Sequence, residues 1–334
     1  MHAGEFDLIA AIRERLPPPG PRVKLASGDD AAVVEPRAAS AITVDAVVDG
    51  VHFHLDQFGP RAAGRKALAA ALSDLAAMGA AQGEAYAVVG APSEFADEDL
   101  LEIADGLAEV ARRESVTIAG GDLVSSPVLF ISITAVGYEP GGTRLVTRAG
   151  ARPRDVLAVT GDLGGAAAAI ELLEGAEPRA PLAPQPRDSL LARQLNPVPR
   201  LKEGRAIAAA GATAMIDISD GLGADAGHLA AASDCRLEID LGRVPVAPGT
   251  VEVAGERQAA LELAAGGGED YELLVSLPPE RAEEAVRKVA EAGSKLTEIG
   301  YATEGRGVAL RLPGGRELEP RGFDQRRGSL SGSG

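Results

Sequence analysis

Apolar and polar positions alternate along this chain in two periods, and the switch between them predicts a succession of helices and strands. Residues Glu5 to Leu16 carry apolar side chains at helical spacing and stop at Pro17-Pro18-Pro19-Gly20. Ala41 to Val48 reads as a strand, Arg61 to Met78 as an Ala/Leu-rich helix closed by Gly79, and Glu84 to Gly90 as a strand. Asp97 to Arg113 reads as a helix with Asp97 as N-cap and Arg112-Arg113 at its C-terminal dipole. Val116 to Ala119 is a short buried strand running into Gly120-Gly121-Asp122, and Val128 to Tyr138 is a long strand.

Glu139-Pro140-Gly141-Gly142 is a turn, and the basic stretch through Arg154 reads as a connector. A second alternating set follows. Its strands are Val156 to Thr160, Thr213 to Ile218, Tyr271 to Leu277, Leu296 to Tyr301 and Val308 to Leu312. Its helices include Leu222 to Ala232, Pro279 to Ala292 and two that bracket Asn196-Pro197-Val198-Pro199-Arg200, with a Pro-rich loop from Pro178 to Pro186. The expectation is an α/β (α+β) chain of two domains, 1–140 and 150–324, with residues 325–334 set apart as a tail.

Composition narrows the picture. The 334 residues are 46% hydrophobic but only 3% aromatic, so the cores must be built of Ala, Val, Leu and Ile. The formal charge of −16 argues against nucleic acid or an anionic membrane as partner and suits cationic or metal-bound ligands. Cys235 is the only cysteine, which excludes an intrachain disulfide and a cysteine-based metal site. No run of 18 apolar residues occurs, and the first residues lack a basic region followed by an apolar one, so the cytoplasm is the expected compartment.

The chemistry concentrates in acidic loops. Gly28-Asp29-Asp30, Thr43-Val44-Asp45, Ser73-Asp74, Gly120-Gly121-Asp122, Asp217-Ile218-Ser219-Asp220-Gly221 and Gly267-Gly268-Glu269-Asp270 each set acid beside small residues at the end of an apolar run. Clustered carboxylates repel unless protons or cations relieve them. Oxygen-only donors favour Mg²⁺ or Ca²⁺, and Mg²⁺ commonly travels with phosphate. The Asp217–Gly221 segment places two carboxylates, a hydroxyl and the open amides of a helix start in one place, which suits a metal and its phosphate; the alternative is that Ser219 or Asp220 simply caps the helix. In Gly120-Gly121-Asp122 the glycines would let the backbone approach a ligand, with Asp122 on a metal; ordinary turn chemistry is the alternative. Asp74 sits in Ala/Leu surroundings that leave little solvated face. His52, beside Phe53, has a structural reading as well as a functional one. No P-loop, protein-kinase motif set or nucleophile elbow is present. Gly161-Asp162-Leu163-Gly164-Gly165 lacks full dinucleotide spacing and reads as a tight strand-to-helix turn.

In order, Gly28 to Ala32, Asp45 with Val47 to Phe53, Ala71 to Gly79, Gly120 to Asp122, Thr147 to Gly150, Pro197 to Arg200, Asp217 to Leu222, Gly267 to Leu274 and Gly322-Phe323-Asp324 resemble the motifs of thiamine-monophosphate kinases. That family lies in the superfamily of aminoimidazole ribonucleotide synthetase and selenophosphate synthetase, and the resemblance spans nearly the whole chain. It implies an aminoimidazole ribonucleotide synthetase-like fold with mixed sheets flanked by helices, and a homodimer formed through N-terminal strands, with Val128 to Tyr138 as candidate contributor. It implies direct ATP-dependent phosphorylation of thiamine phosphate to thiamine diphosphate with several Mg²⁺ ions. The metal positions implied are Asp30, Thr43, Val44 (by its carbonyl), Asp45, Asp74, Asp122, Asp217 and Asp220. ATP contacts fall on Gly120, Gly121, Asp122, Arg148 and Ser219, and substrate contacts on His52, Glu269 and Phe323. Val44 and Leu123 depart from the family pattern, each standing where a hydroxyl residue is usual. A superfamily relative acting on another small phosphate and a non-catalytic nucleotide- or cation-binding regulator are the alternatives. Selenophosphate synthesis is disfavoured, because no reactive Cys-Lys pair lies near the N-terminus.

Overall fold

The computed structural model describes residues 5–26, 31–36, 39–324 and 329–331. The chain divides into two compact units. One runs to Leu75 and takes in Ala80–Pro140 and Leu195–Pro197; the other comprises Ala76–Gly79, Gly141–Gln194 and the chain from Val198 onward.

The first unit contains, in order, α1 (Glu5–Arg15), β1 (Val23–Leu25), β2 (Val33–Val34), β3 (Ser40–Val48), α2 (Leu55–Ala77), β4 (Ala81–Ala91), α3 (Asp97–Glu114), β5 (Thr117–Ser125) and β6 (Phe130–Tyr138). β1 and β2 form a small antiparallel pair. The main sheet has the order β3-β6-β4-β5, with β6 antiparallel to both neighbours and β4 parallel to β5. β6 alternates strictly: Ile131, Ile133 and Ala135 are buried, while the residues between them are half-buried. That is the pattern of a sheet with one face on the core.

From Ala62 onward α2 is buried nearly all round, in keeping with a sequence that shows so little polar face there. It lies against α3 at backbone distance. A Cβ on Gly64 would stand 2.2 Å from the carbonyl oxygen of Ile103, and one on Gly106 2.0 Å from that of Arg61. α2 begins at Leu55 rather than at the expected Arg61, and is broken at Gly59 (φ 70) before Pro60. The extra turn exists because Asp49 Oδ1 accepts the amide of Leu55 at 2.9 Å. Asp97 is not the N-cap of α3; Ala96 holds that position without a side-chain bond, and Asp97 opens the first turn. Gly120-Gly121-Asp122 is not a loop but part of β5, held by its parallel ladder to β4.

The second unit contains β7 (Val156–Thr160), α4 (Gly165–Leu173), α5 (Pro184–Leu195), α6 (Leu201–Ala210), β8 (Ala214–Ile218), α7 (Leu222–Ser233), β9 (Arg236–Asp240), α8 (Thr250–Ala254), α9 (Arg257–Gly266), β10 (Glu272–Leu277), α10 (Pro279–Glu291), β11 (Leu296–Thr303), β12 (Gly307–Arg311), β13 (Glu317–Leu318), β14 (Gly322–Asp324) and β15 (Ser329–Ser331). Seven strands form one mixed sheet in the order β13-β12-β9-β11-β7-β10-β8. Leu157, Val159, Ile216, Ile218, Leu229, Leu274 and Ile299 centre an aliphatic core, as the scarcity of aromatics requires. α5 starts inside the expected Pro-rich loop, since proline is tolerated in a first helical turn. β15, within the segment set apart as a tail, pairs antiparallel with β14.

Candidate active site

Of the residues singled out from the sequence, Thr43, Asp45, Asp74 and His52 gather in the first unit and Asp217, Ser219, Asp220 and Glu269 in the second. In the first unit, Thr43 and Asp45 lie two apart on β3 and so share a face; Val44 points the other way and is 67% exposed. The hydroxyl of Thr43 donates to Oδ2 of Asp74 on α2. Burial pushes the Asp45 carboxyl up; its bond from the Ala46 amide lowers it, Asp74 raises it further, and His52 and Lys66 pull it back. Two acids, a hydroxyl and two balancing bases therefore converge within one unit.

Val48 N–H donates to Nδ1 of His52 at 3.1 Å, so in the neutral ring the proton sits on Nε2. Lys66 was missed in the sequence. It is wholly buried, with its ammonium 5.5 Å above the Phe58 ring, and its only signal was a charge inside an Ala/Leu-rich helix.

Asp122 is exposed on β5, and its Oδ1 accepts the amide of Leu123 at 2.9 Å. β5 is the edge opposite β3, three strand spacings or about 14 Å from Asp45. Gly121 is demanded by β4 rather than by a ligand: a Cβ there would lie 2.1 Å from the carbonyl oxygen of Ala87. Asp30 lies outside the described residues.

In the second unit, β8 ends at Ile218, directly after the buried Asp217, and the next three residues turn into α7. Neither Ser219 nor Asp220 caps that helix. The N-cap is Gly221, at φ 118, with no side-chain bond. The loop amides are not open either. Oδ2 of Asp225, one turn into α7, accepts N–H from Ser219, Asp220 and Gly221 at 3.0, 3.0 and 3.1 Å. Burial, with Asp217 and Asp220 close by, pushes the Asp225 carboxyl up to about 8, against the lowering effect of those amides. Ligand atoms of Asp220, Asp225 and the exposed His228 lie within 4.8 Å of one another.

The loop before β10 is bonded to this turn. Glu269 N–H donates to the carbonyl of Ser219 at 2.8 Å, and Tyr271 N–H to that of Ile218 at 2.9 Å. Glu269 and Tyr271 both have positive φ, 68 and 50, a costly conformation for such residues. Gly268 permits the approach, since a Cβ there would meet the Ser219 carbonyl oxygen at 2.5 Å. Nε2 of the buried Gln194 donates to Oε2 of Glu269 at 2.9 Å and to the carbonyl of Ala166 at 3.3 Å. Asp270 takes the amides of Gly164 (2.6 Å) and Ala166 (3.1 Å) at the start of α4. Burial pushes its carboxyl up to about 6, although Arg193 and these amides pull it down.

Phe323 follows Gly322, whose Cβ would meet that of Ala224 at 2.3 Å and the carbonyl oxygen of Asp220 at 2.8 Å, so its main chain passes this turn. Arg148 is placed by its main chain. Its carbonyl accepts the Ser233 hydroxyl at the end of α7 away from Ser219, a 12-residue helix about 18 Å long.

Residues 28–138 match the family model of the AIR synthase related protein N-terminal domain, and 152–313 that of the C-terminal domain. The thiamine-monophosphate kinase of Escherichia coli is 38% identical over 282 residues, 83% of this chain and 84% of the relative. That of Methanopyrus kandleri is 37% identical over 316 residues, 92% of each. Among solved structures, the Stenotrophomonas maltophilia thiamine-monophosphate kinase superposes with a TM-score of 0.81 at 35% identity, covering 93% of this chain and 97% of that one. A relative solved as a complex with AMPPCP and TMP gives 0.75 at 33% identity, covering 96% of each. The hydrogenase maturation protein HypE, at 16% identity and a TM-score of 0.74, shares the fold. This chain, with both domain matches and relatives of this identity along most of its length, belongs to the thiamine-monophosphate kinase family.

Proposed function

We propose that this protein transfers the terminal phosphoryl group of ATP to thiamine phosphate, giving thiamine diphosphate and ADP. The observation that carries this reading beyond kinship is the crowding of oxygen donors: Thr43 and Asp45 share a face of β3 with the Thr43 hydroxyl donating to Asp74, and Asp217 and Asp220 flank the turn that opens α7. Such groups are relieved by divalent cations, and an oxygen-only donor set fits Mg²⁺. In this reading Thr43, Asp45 and Asp74 hold Mg²⁺ in the first unit with the carbonyl of Val44 and with Asp30, Asp122 holds it at β5, and Asp217 and Asp220 hold it in the second. Bound Mg²⁺ would supply neutralisation of the phosphate charge that otherwise keeps donor and acceptor apart.

The chain's own residues then position. Ser219 and the Gly120-Gly121 backbone meet the nucleotide. His52, with its proton on Nε2, donates to the acceptor phosphate, and the anionic Glu269 suits the cationic thiazolium, with Phe323 alongside. The acceptor phosphate is already anionic, so no general base is required. Cys235 is buried, its thiol pushed up by burial and by Asp155 and Asp234, so it offers no nucleophile. The transfer is direct and in line.

The working form is a homodimer in the cytoplasm. β6 is hydrogen-bonded on both sides and can lend only its face, whereas β3 is an edge strand with Ile42 65% and Val44 67% exposed, an apolar stripe suited to a second copy. Among the described residues no helix is long and apolar enough to cross a membrane. ADP release should be measured with Mg²⁺-ATP against a panel of phosphorylated vitamins and nucleotides. Thiamine phosphate should give the highest kcat/KM, with thiamine diphosphate as product. A higher value for another phosphate, or no ADP release with any, would overturn the reading.

A further inference from the structure

The amides of Ser219, Asp220 and Gly221 converge on one atom, Oδ2 of Asp225, at 3.0 to 3.1 Å. Asp225 is 3% exposed, so these are bonds made out of water. The other side of the same turn is also engaged: the carbonyls of Ile218 and Ser219 accept the amides of Tyr271 and Glu269. Backbone groups in a short strand-to-helix turn normally stay available, and a helix start with open amides attracts phosphate directly. Those three amides and two carbonyls are committed, and what this stretch offers a ligand is the side chains of Asp217, Ser219 and Asp220.

We infer that Asp225 is a positioning residue that gathers the Ser219–Gly221 amides, so that the turn before α7 presents its side chains and meets phosphate through a cation. The inference rests on the proposed reading only for the identity of the nucleotide; the geometry stands without it. One consequence follows from a single oxygen taking all three bonds. Asparagine carries an oxygen that can stand in the same place, so Asp225→Asn should keep the turn, whereas Asp225→Ala should free the amides and loosen the side chains beside them.

The test uses the full chain and three readouts. Mn²⁺ binding by electron paramagnetic resonance titration should be within threefold of wild type for Asp225→Asn and weakened about tenfold or more for Asp225→Ala, as when the support of a metal ligand is removed. ATP in excess EDTA should not shift the melting temperature of the wild-type protein, while Mg²⁺-ATP should raise it. In steady state, Asp225→Ala should raise KM for ATP and leave KM for thiamine phosphate within twofold. Equal loss in both variants would assign the effect to charge and overturn the inference, as would wild-type Mn²⁺ binding in a folded Asp225→Ala, or tight metal-free ATP binding by the wild type. Should both variants fail to fold, hydrogen exchange of the wild-type 217–222 segment decides: slow exchange of the three amides is expected, and exchange at open-loop rates refutes the idea. If no acceptor is phosphorylated at all, the kinase reading fails while the metal-binding and exchange results still judge Asp225.

Discussion

Replacing Arg200 with Met should unfold the second unit far more readily while leaving the site side chains in place. Arg200 Nε lies 2.8 Å from Oε2 of Glu272 and Nη2 lies 2.5 Å from Oε1, a two-point grip on a carboxylate with no exposed surface. Oε2 also accepts the Thr160 hydroxyl at 2.6 Å, and Thr160 Oγ1 in turn accepts the amide of Leu273 at 2.8 Å. Methionine fills the space of the aliphatic stem but leaves a buried carboxylate with only one hydroxyl. Breaking a buried pair costs about 3–5 kcal/mol, because the remaining charge stays desolvated. Arg200 is itself 23% exposed, so water can reach the vacated place, and the lower end, about 3 kcal/mol, is expected. For a unit of this size that corresponds to a fall in Tm of roughly 6–12 °C. Urea unfolding and thermal melts of wild type, Arg200→Met, Glu272→Gln and the double variant form a cycle. The double variant should regain most of the loss, with a coupling of about 1–3 kcal/mol. A single-variant loss under about 1 kcal/mol, or no recovery in the double, would refute the reasoning that charge imbalance is the cause.

Three further outcomes are expected. Asp122→Asn should cut turnover roughly a hundredfold or more with the melting temperature unchanged; normal turnover at saturating Mg²⁺ would remove Asp122 from the metal set. His52→Ala should raise KM for thiamine phosphate more than KM for ATP, and an equal rise in both would take His52 out of the acceptor pocket. The Asp270 carboxyl, pushed up to about 6 in the folded chain, favours folding fully below its unfolded value near pH 4 and loses that contribution as pH rises to about 6. The stability of wild type relative to Asp270→Asn should therefore fall by up to about 3 kcal/mol over that window, and a constant or rising difference would contradict it.

Much of the architecture was legible because the strong periods are long. β6 alternates from Phe130 to Gly137, and α10 carries a clear apolar stripe, so both appear close to where the pattern puts them. β9 and α9 escaped. β9 mixes charge with aliphatics in five residues, and α9 is a ten-residue helix whose N-cap, Glu256, makes no side-chain capping bond. Gly120-Gly121 misled in the opposite direction. Paired glycines read as a turn, yet here they lie in a strand, where the carbonyl oxygen of Ala87 leaves no room for a Cβ on Gly121.

The candidate site divides along the same line. Carboxylates can be picked out of a sequence because their chemistry is intrinsic, but their supports are defined by contacts. Gln194 and Glu269 are 75 residues apart in sequence, and the fully buried Lys66 looks like one more basic residue beside Arg65 until the helix is known to be buried all round. Asp225 is the exception, since its partners lie only four to six residues upstream. An acid one turn after a Ser-Asp-Gly turn is a local pattern that steric reasoning can use: short polar side chains near a helix start compete for exactly those amides that a phosphate would want. The sequence pattern therefore held both outcomes, a phosphate cradle and a self-satisfied turn. What separates them is the burial of Asp225: a carboxylate held out of water would be left without these donors if the three amides turned to a ligand, which is the more expensive choice.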